Sequence, residues 1–259
     1  MGNSYLDDNG VPYNKFGITN NHDRLIREYE LTTTKGDEIL AGKVPNLHHP
    51  SIYGVEHLRG INKYLFEEMY EWAGKERTRP SSKEMDSGEN MVSVFAAPSS
   101  FPEKFQALEK KTAAFASASG LTFTGKIDAL TDIFIAANHI HPFPEGNGRT
   151  LQIFIQQLAR EQNVTLDYTK VSAKEWSHAS AISGIYGEVF KEPDDSKYLI
   201  TAPSNRNAIR GIFQSMSKES LTDRSIIAHN NTAERTANNA APKQPQKQNK
   251  KRQDYDQGS

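Results

Sequence analysis

The chain has no cysteine among its 259 residues. Disulfides, thiolate nucleophiles and cysteine-ligated metals are therefore excluded, and the composition suits a reducing compartment. No apolar run approaches the roughly 20 residues that a membrane-spanning helix requires. The opening MGNSYL lacks the basic segment and apolar run of a secretory signal. Gly2 suits a myristoylation start, but Leu6 stands where that signal needs Ser or Thr. A dominant charge is missing too. The 31 Lys and Arg against 32 Asp and Glu leave a net charge of −1, so bulk electrostatics draws in neither nucleic acid nor an anionic membrane. No internal repeat is visible. These absences predict a soluble protein acting in the cytoplasm, with no direct nucleic-acid or membrane binding.

The densest chemistry lies from His141 to Arg149, which reads HPFPEGNGR. Leu130, Ile133, Phe134 and Ala137 recur at helical spacing before it, and Leu151, Phe154, Ile155 and Leu158 after it. The spacing predicts a helix, a tight polar turn and a second helix. A Gly-Asn-Gly turn opening a helix leaves backbone N–H groups free, and the helix dipole favours an anion there. Arg149 adds a full positive charge, and phosphate is the natural ligand. Glu145 stands where one carboxylate could hold a magnesium ion that also takes phosphate oxygens. His141 lies at the edge of the same pocket, placed to take a proton from a hydroxyl. The dipole of the following helix should lower its pKa and favour the neutral base. A base, a metal carboxylate and an anion hole in one segment indicate phosphoryl or nucleotidyl transfer.

This stretch resembles the core motif of the Fic family, H-x-F-x-(D/E)-G-N-G-R-x-x-R. Seven fixed positions coincide by chance at roughly 10⁻⁹ per starting point, given ordinary residue usage, so the match is not accidental. A second segment, LFEEMYEWAGKERT from Leu65 to Thr78, resembles the family's LFxxxYxWAGxxRT. The resemblance implies a mainly α, Fic-type helical domain with a small β-hairpin flap over the active site. It implies transfer of AMP from ATP, with Mg2+, to a Tyr, Thr or Ser hydroxyl of a target protein. His141 would be the general base, and Phe143 would anchor the loop. Glu145 would bind Mg2+, while Gly146, Asn147 and Gly148 would cradle the α- and β-phosphates. Arg149 would contact the β-phosphate. The chain departs from the family at Gln152, where an arginine would meet the γ-phosphate. Transfer of another phosphate-containing group, or a catalytically weakened target-binding domain, are the alternatives.

In chain order, residues 1–12 are polar and expected to be loosely held, 13–216 form the domain, and 217–259 form a polar tail. That tail has too few apolar residues to order itself. Thr19 should cap a first helix carrying Leu25, Ile26 and Tyr29 on one side. His48 and His49 are read as loop residues. Val55 to Gly74 should form one helix, with Leu58, Ile61, Leu65, Met69 and Trp72 as its stripe. Arg77–Arg79 and Met91–Phe95 are expected to be the arms of the flap, which in the family pairs with the target segment as an added strand. Lys83, Glu84, Asp86 and Glu89 would select that target by charge. Further helices are expected over Phe101 to Ala118, from the capping box at Ser172, and from about Ser204 to Met216.

The opening segment and flap layout look most like Fic domains of type IV-secreted effectors and related toxins. That looser resemblance implies a host small GTPase or a bacterial topoisomerase as target, with secretion into a host cell as one setting. Family members are often inhibited by a glutamate in a (S/T)-x-x-x-E-(G/N) helix. Here Glu38 is followed by Ile39 and Glu219 by Ser220, so neither completes the pattern. A separate small inhibitor protein is expected instead.

Overall fold

The helices that flank the turn form where apolar residues recur every three to four positions. The computed structural model describes residues 5–47, 50, 52–85, 90–192 and 196–219, all within the compact unit Met1–Ser220. Its helices are α1 (Asn21–Leu40), α2 (Val55–Phe66), α3 (Phe101–Ser117), α4 (Phe123–Ile140), α5 (Asn147–Glu161), α6 (Ala173–Ile182) and α7 (Arg206–Met216). The fold is mainly α. Leu130, Phe134, Phe154 and Leu158 are at most 2% exposed, and each contributes about 1.5–3 kcal/mol by leaving water. Their sum exceeds the 1–3 kcal/mol or so that one left-handed residue costs, so α4 and α5 can hold a strained turn between them. The Ser172 capping box forms with both reciprocal bonds.

Two helices differ from expectation. α1 is capped by Asn20, whose side chain accepts from the N–H groups of His22 and Asp23. The buried face of its N-terminal part is polar: Arg24, Glu28 and Thr32 point inward while Ile26 and Tyr29 are exposed, and only towards its end does the apolar Ile39 enter the core. α2 ends at Phe66 rather than Gly74. Met69 and Tyr70 are both fully buried though adjacent. The turns after Phe66 turn both inward, and the Met69 carbonyl accepts from the Lys15 N–H.

Six strands complete the described residues: β1 (Ser82–Glu84), β2 (Met91–Val94), β3 (Val164–Leu166), β4 (Ile185–Lys191), β5 (Lys197–Ala202) and β6 (Ser217–Glu219). The flap exists, but its first arm is β1 rather than Arg77–Arg79, with Ser82 opposite Val94 and Glu84 opposite Val92. β4 and β5 extend it into an antiparallel sheet of order β1-β2-β4-β5. Near the chain start, Leu6 bridges to Pro12 and Val11 is buried. Ser217–Glu219, assigned to the tail from sequence, pair with β3. His48, His49, Asp86, Glu89 and residues 220–259 lie outside the described residues. Among the described residues no helix is long and apolar enough to cross a membrane.

Candidate active site

α4 stops at Ile140 because His141 turns left-handed, with φ 47° and ψ 60°. Residues 142–146 then reverse the chain, and α5 opens at Asn147. Asn147 fixes this turn from within: its Oδ1 accepts from the Phe143 N–H at 2.9 Å and its Nδ2 donates to the Phe143 carbonyl at 2.7 Å. Phe143 itself is buried in the core. From α2, Asn62 donates to Thr150 Oγ1 at 3.1 Å and accepts from the Gly74 N–H at 2.8 Å. Gly146 has φ +78°, and a Cβ there would lie 2.2 Å from the Phe66 ring. Both the backbone and the close approach therefore require glycine. About 10 Å³ remains beneath the turn, at the lower limit for one water.

The His141 ring stacks on Phe95, with centroids 3.6 Å apart and planes 9° from parallel. Among the described residues its enclosed Nδ1 meets no group in good hydrogen-bond geometry. Burial pushes the pKa down to about 3, with the charges of Arg77 and Lys83 adding to the effect. The lowered pKa expected from sequence is found, with burial as its largest cause and the neighbouring cations adding to it.

On the other side of the turn, the backbone N–H groups of Asn147, Gly148 and Arg149 in the first turn of α5 have no partner among the described residues. A Cβ at Gly148 would meet nothing within 4 Å, so a ligand can approach that backbone closely. The side chain of Asn147 is engaged with Phe143, which leaves only its N–H for an anion. Glu145 is half-buried, and its Oε1 accepts from the Gly146 N–H at 3.0 Å. Among the described residues no cluster of three His, Asp or Glu forms a self-sufficient metal site. A lone carboxylate beside a helix N-terminus suits magnesium, which would take its remaining oxygens from a substrate and water.

Arg149 is not a free cation. It pairs with Glu28 and donates to Thr32 Oγ1 at 2.9 Å. Its guanidinium lies over the rings of Tyr29 and Phe66, at 4.7 and 4.8 Å. Glu28 is fully buried and is also held by Arg24 at 2.7 Å and by the Tyr70 hydroxyl. Two arginines thus share the Glu28 carboxylate, and Arg24 also feels the Glu145 charge. Gln152 is half-buried and makes no hydrogen bond among the described residues. The two glutamates weighed as inhibitors are engaged elsewhere: Glu38 accepts from the Tyr64 hydroxyl and Glu219 pairs with Lys126.

Of the flap residues, Lys83 and Glu84 are exposed on edge strand β1, on opposite faces, and the Lys83 charge reaches His141. Sequence reading missed the part played by Glu28, Phe95 and Arg77. A signal for Glu28 was available, because Arg24, Glu28 and Thr32 recur at four-residue spacing on one face. Arg77 stood in plain view as the fixed arginine of the second resembling segment.

A helical domain that brings an imidazole with a lowered pKa and the N-terminus of a helix onto one turn has groups suited to phosphate-ester chemistry. Residues 53–159 match the model of the Fic/DOC family, and the chain carries a Fic domain of that family. It is 32% identical over 199 residues to the protein adenylyltransferase VbhT of Bartonella schoenbuchensis, covering 71% of this chain and 36% of that protein. It is 27% identical over 186 residues to a protein adenylyltransferase of Bartonella henselae, covering 68% of this chain and 33% of that protein. The chain thus spans about a third of the length of these two curated relatives. The fold superposes with a TM-score of 0.66 on BepC, a VirB-translocated effector of Bartonella tribocorum with bound AMPPNP. That match covers 84% of this chain and 97% of the other, at 19% identity.

Proposed function

We propose that the protein is a protein adenylyltransferase that moves AMP from ATP to a Tyr, Thr or Ser hydroxyl of a target protein. The observation that carries this reading is a single turn bearing both an unprotonated, stacked imidazole and three free N–H groups at a helix N-terminus. The relatives named adenylyltransferases and the AMPPNP-bound effector support ATP as donor.

The N–H groups of Asn147, Gly148 and Arg149 hold the phosphates, helped by the dipole of α5. Glu145 would hold Mg2+, which neutralises phosphate charge when bound. His141 takes the proton from the target hydroxyl. The hydroxyl oxygen bonds to the α-phosphorus of ATP, the bond to the bridging oxygen breaks, and pyrophosphate leaves. A target segment docks on the exposed edge of β1, where backbone pairing supplies affinity and Lys83 and Glu84 supply selection. A host small GTPase or a bacterial topoisomerase fits such a target, and the likeness to a translocated effector suits action in a host cytoplasm. A separate inhibitor protein fits the absence of a matching inhibitory segment in the sequence.

A second reading is favoured by one observation. Gln152 is neutral and Arg149 is engaged by Glu28, so the γ-phosphate lacks a dedicated cation. The donor in that reading carries a different phosphate-containing group. The deciding experiment incubates the full chain, Mg2+ and α-labelled ATP with host and bacterial lysates, followed by peptide mass spectrometry. AMP on hydroxyl side chains is the expected result. Labelling only from another donor selects the second reading. Nucleotide binding with no transfer from any donor indicates a target-binding domain and overturns both.

A further inference from the structure

We infer that Arg77 is a positioning residue that locks the catalytic turn to the flap, so that docking on the flap and placement of His141 are coupled. The inference rests on the reading of His141 as the base.

Four consecutive carbonyls, from His139 to Pro142, form the end of α4 and the start of the turn. Each has a partner from outside the turn. His139 accepts from the Ala96 N–H at 2.9 Å, and Pro142 from the Arg77 N–H at 2.7 Å. The Arg77 side chain takes the two between, donating Nη2 to Ile140 at 3.2 Å and Nε to His141 at 2.8 Å. The same guanidinium reaches both flanks of the flap. Nη1 donates to the Arg79 carbonyl at 2.5 Å, ahead of β1, and Nη2 to the Ala96 carbonyl at 2.6 Å, behind β2.

Arg77 is only 3% exposed and has no carboxylate partner among the described residues. Buried arginines are ordinarily paired with an acid. Here the counter-charge is a set of carbonyl oxygens, two of them at the negative end of the α4 dipole, and the guanidinium also lies over the Phe101 ring at 5.0 Å. A planar fork of five donors matches this geometry, which a lysine ammonium cannot reproduce. Ala96, held by Arg77, follows Phe95, the ring on which His141 stacks. Arg77 therefore fixes both the backbone that carries the imidazole and the backbone that carries the surface beneath it. A merely structural arginine could hold the helix end without touching the flap. This one bonds to both flap flanks and to His141 itself.

The test compares wild type, Arg77→Met and Arg77→Lys, using the full chain with labelled histidine. The imidazole resonance of His141 is identified by its loss in His141→Ala. In wild type, the Phe95 ring should shift that resonance upfield, and it should not titrate between about pH 8 and pH 5, given the burial that lowers its pKa. Arg77→Met should lose the upfield shift and move the titration upward. Arg77→Lys should lose the upfield shift while its titration stays below that of Arg77→Met, because the charge remains. Transfer of label from α-labelled ATP into lysate protein should fall about a hundredfold in Arg77→Met, as expected for a displaced reacting group. ATP affinity should stay within about twofold, because Arg77 makes no contact with the phosphate turn's N–H groups. A folded Arg77→Met with an unchanged His141 resonance overturns the inference. If Arg77→Met does not fold, an unchanged resonance in Arg77→Lys overturns it alone. If wild type labels nothing, the adenylyl-transfer reading fails, yet the resonances still decide whether Arg77 positions the ring.

Discussion

Replacing Gly146 by alanine tests how tightly the phosphate turn is built. The added Cβ would lie 2.2 and 2.3 Å from two carbons of the Phe66 ring, at a residue with φ +78°. Phe66 is fully buried, packed on Tyr70 and under the Arg149 guanidinium, so it cannot swing aside freely. The left-handed backbone costs about 1–2 kcal/mol, and overpacking a filled core costs about 1–3 kcal/mol more. For a chain of this size each kcal/mol lowers the melting temperature by roughly 2–4 °C, so the expected fall is about 4–20 °C. Gly148→Ala is the contrast. It sits in the first turn of α5 with nothing within 4 Å of its Cβ, and alanine is favoured over glycine in a helix by about 0.5–1 kcal/mol. That variant should melt no lower than wild type but bind ATP more weakly, because the methyl group stands where phosphate approaches. Far-UV circular dichroism melts and nucleotide titrations read both. If Gly146→Ala melts within about 2 °C of wild type, less than the smallest shift worked above, the contact with Phe66 has been misjudged.

The Glu28 cluster yields a second expectation. Glu28→Ala leaves Arg24 and Arg149 without their shared carboxylate, and breaking such a buried pair costs about 3–5 kcal/mol; a melt unchanged from wild type would show that Arg149 is satisfied elsewhere. For pH, the folded pKa of His141, about 3, lies below the ordinary 6.5. The unfolded chain therefore binds the proton first, so the His141 contribution is intact above pH 6.5 and is lost as pH falls towards about 3. His57 and His139 are shifted in the same direction, each mainly by burial. Acid should lower the melting temperature over that window, while a transfer rate halving near pH 6.5 would contradict an unprotonated His141. Gln152→Arg should tighten ATP binding but not ADP binding, because charge-assisted bonds are roughly twice as strong as neutral ones; equal ATP affinity would mean that residue 152 points away from the γ-phosphate.

The parts of the fold legible in the sequence are those governed by local periodicity. Leu130, Ile133 and Phe134 in α4, Phe105 and Leu108 in α3, and the Ser172 capping box each declare themselves within a few residues. α1 was misread for a physical reason. The inward face of its N-terminal part is Arg24, Glu28 and Thr32, a polar stripe that becomes favourable only when Tyr70 and Arg149 arrive from distant positions. β4 was missed because its pairing with β2 is long-range, and β5, which pairs with β4 in a local hairpin, went with it. The turn from His141 to Arg149 was legible because its chemistry is contiguous. The engagement of Arg149 by Glu28 was not, since 121 positions separate them. The same applies to the cause of the low His141 pKa. A helix dipole can be read from sequence, whereas the Phe95 stack and the Arg77 charge emerge only on folding.

We propose that His141 is the base of an adenylyl transfer whose nucleotide sits on the α5 N-terminus. The most direct measurement is single-turnover transfer from α-labelled ATP by wild type and His141→Ala, with ATP affinity measured on both. With His141 as the base, the alanine variant should lose transfer by a hundredfold or more, the usual range for a general base, with affinity nearly unchanged. Transfer by His141→Ala at a rate close to wild type would contradict that role.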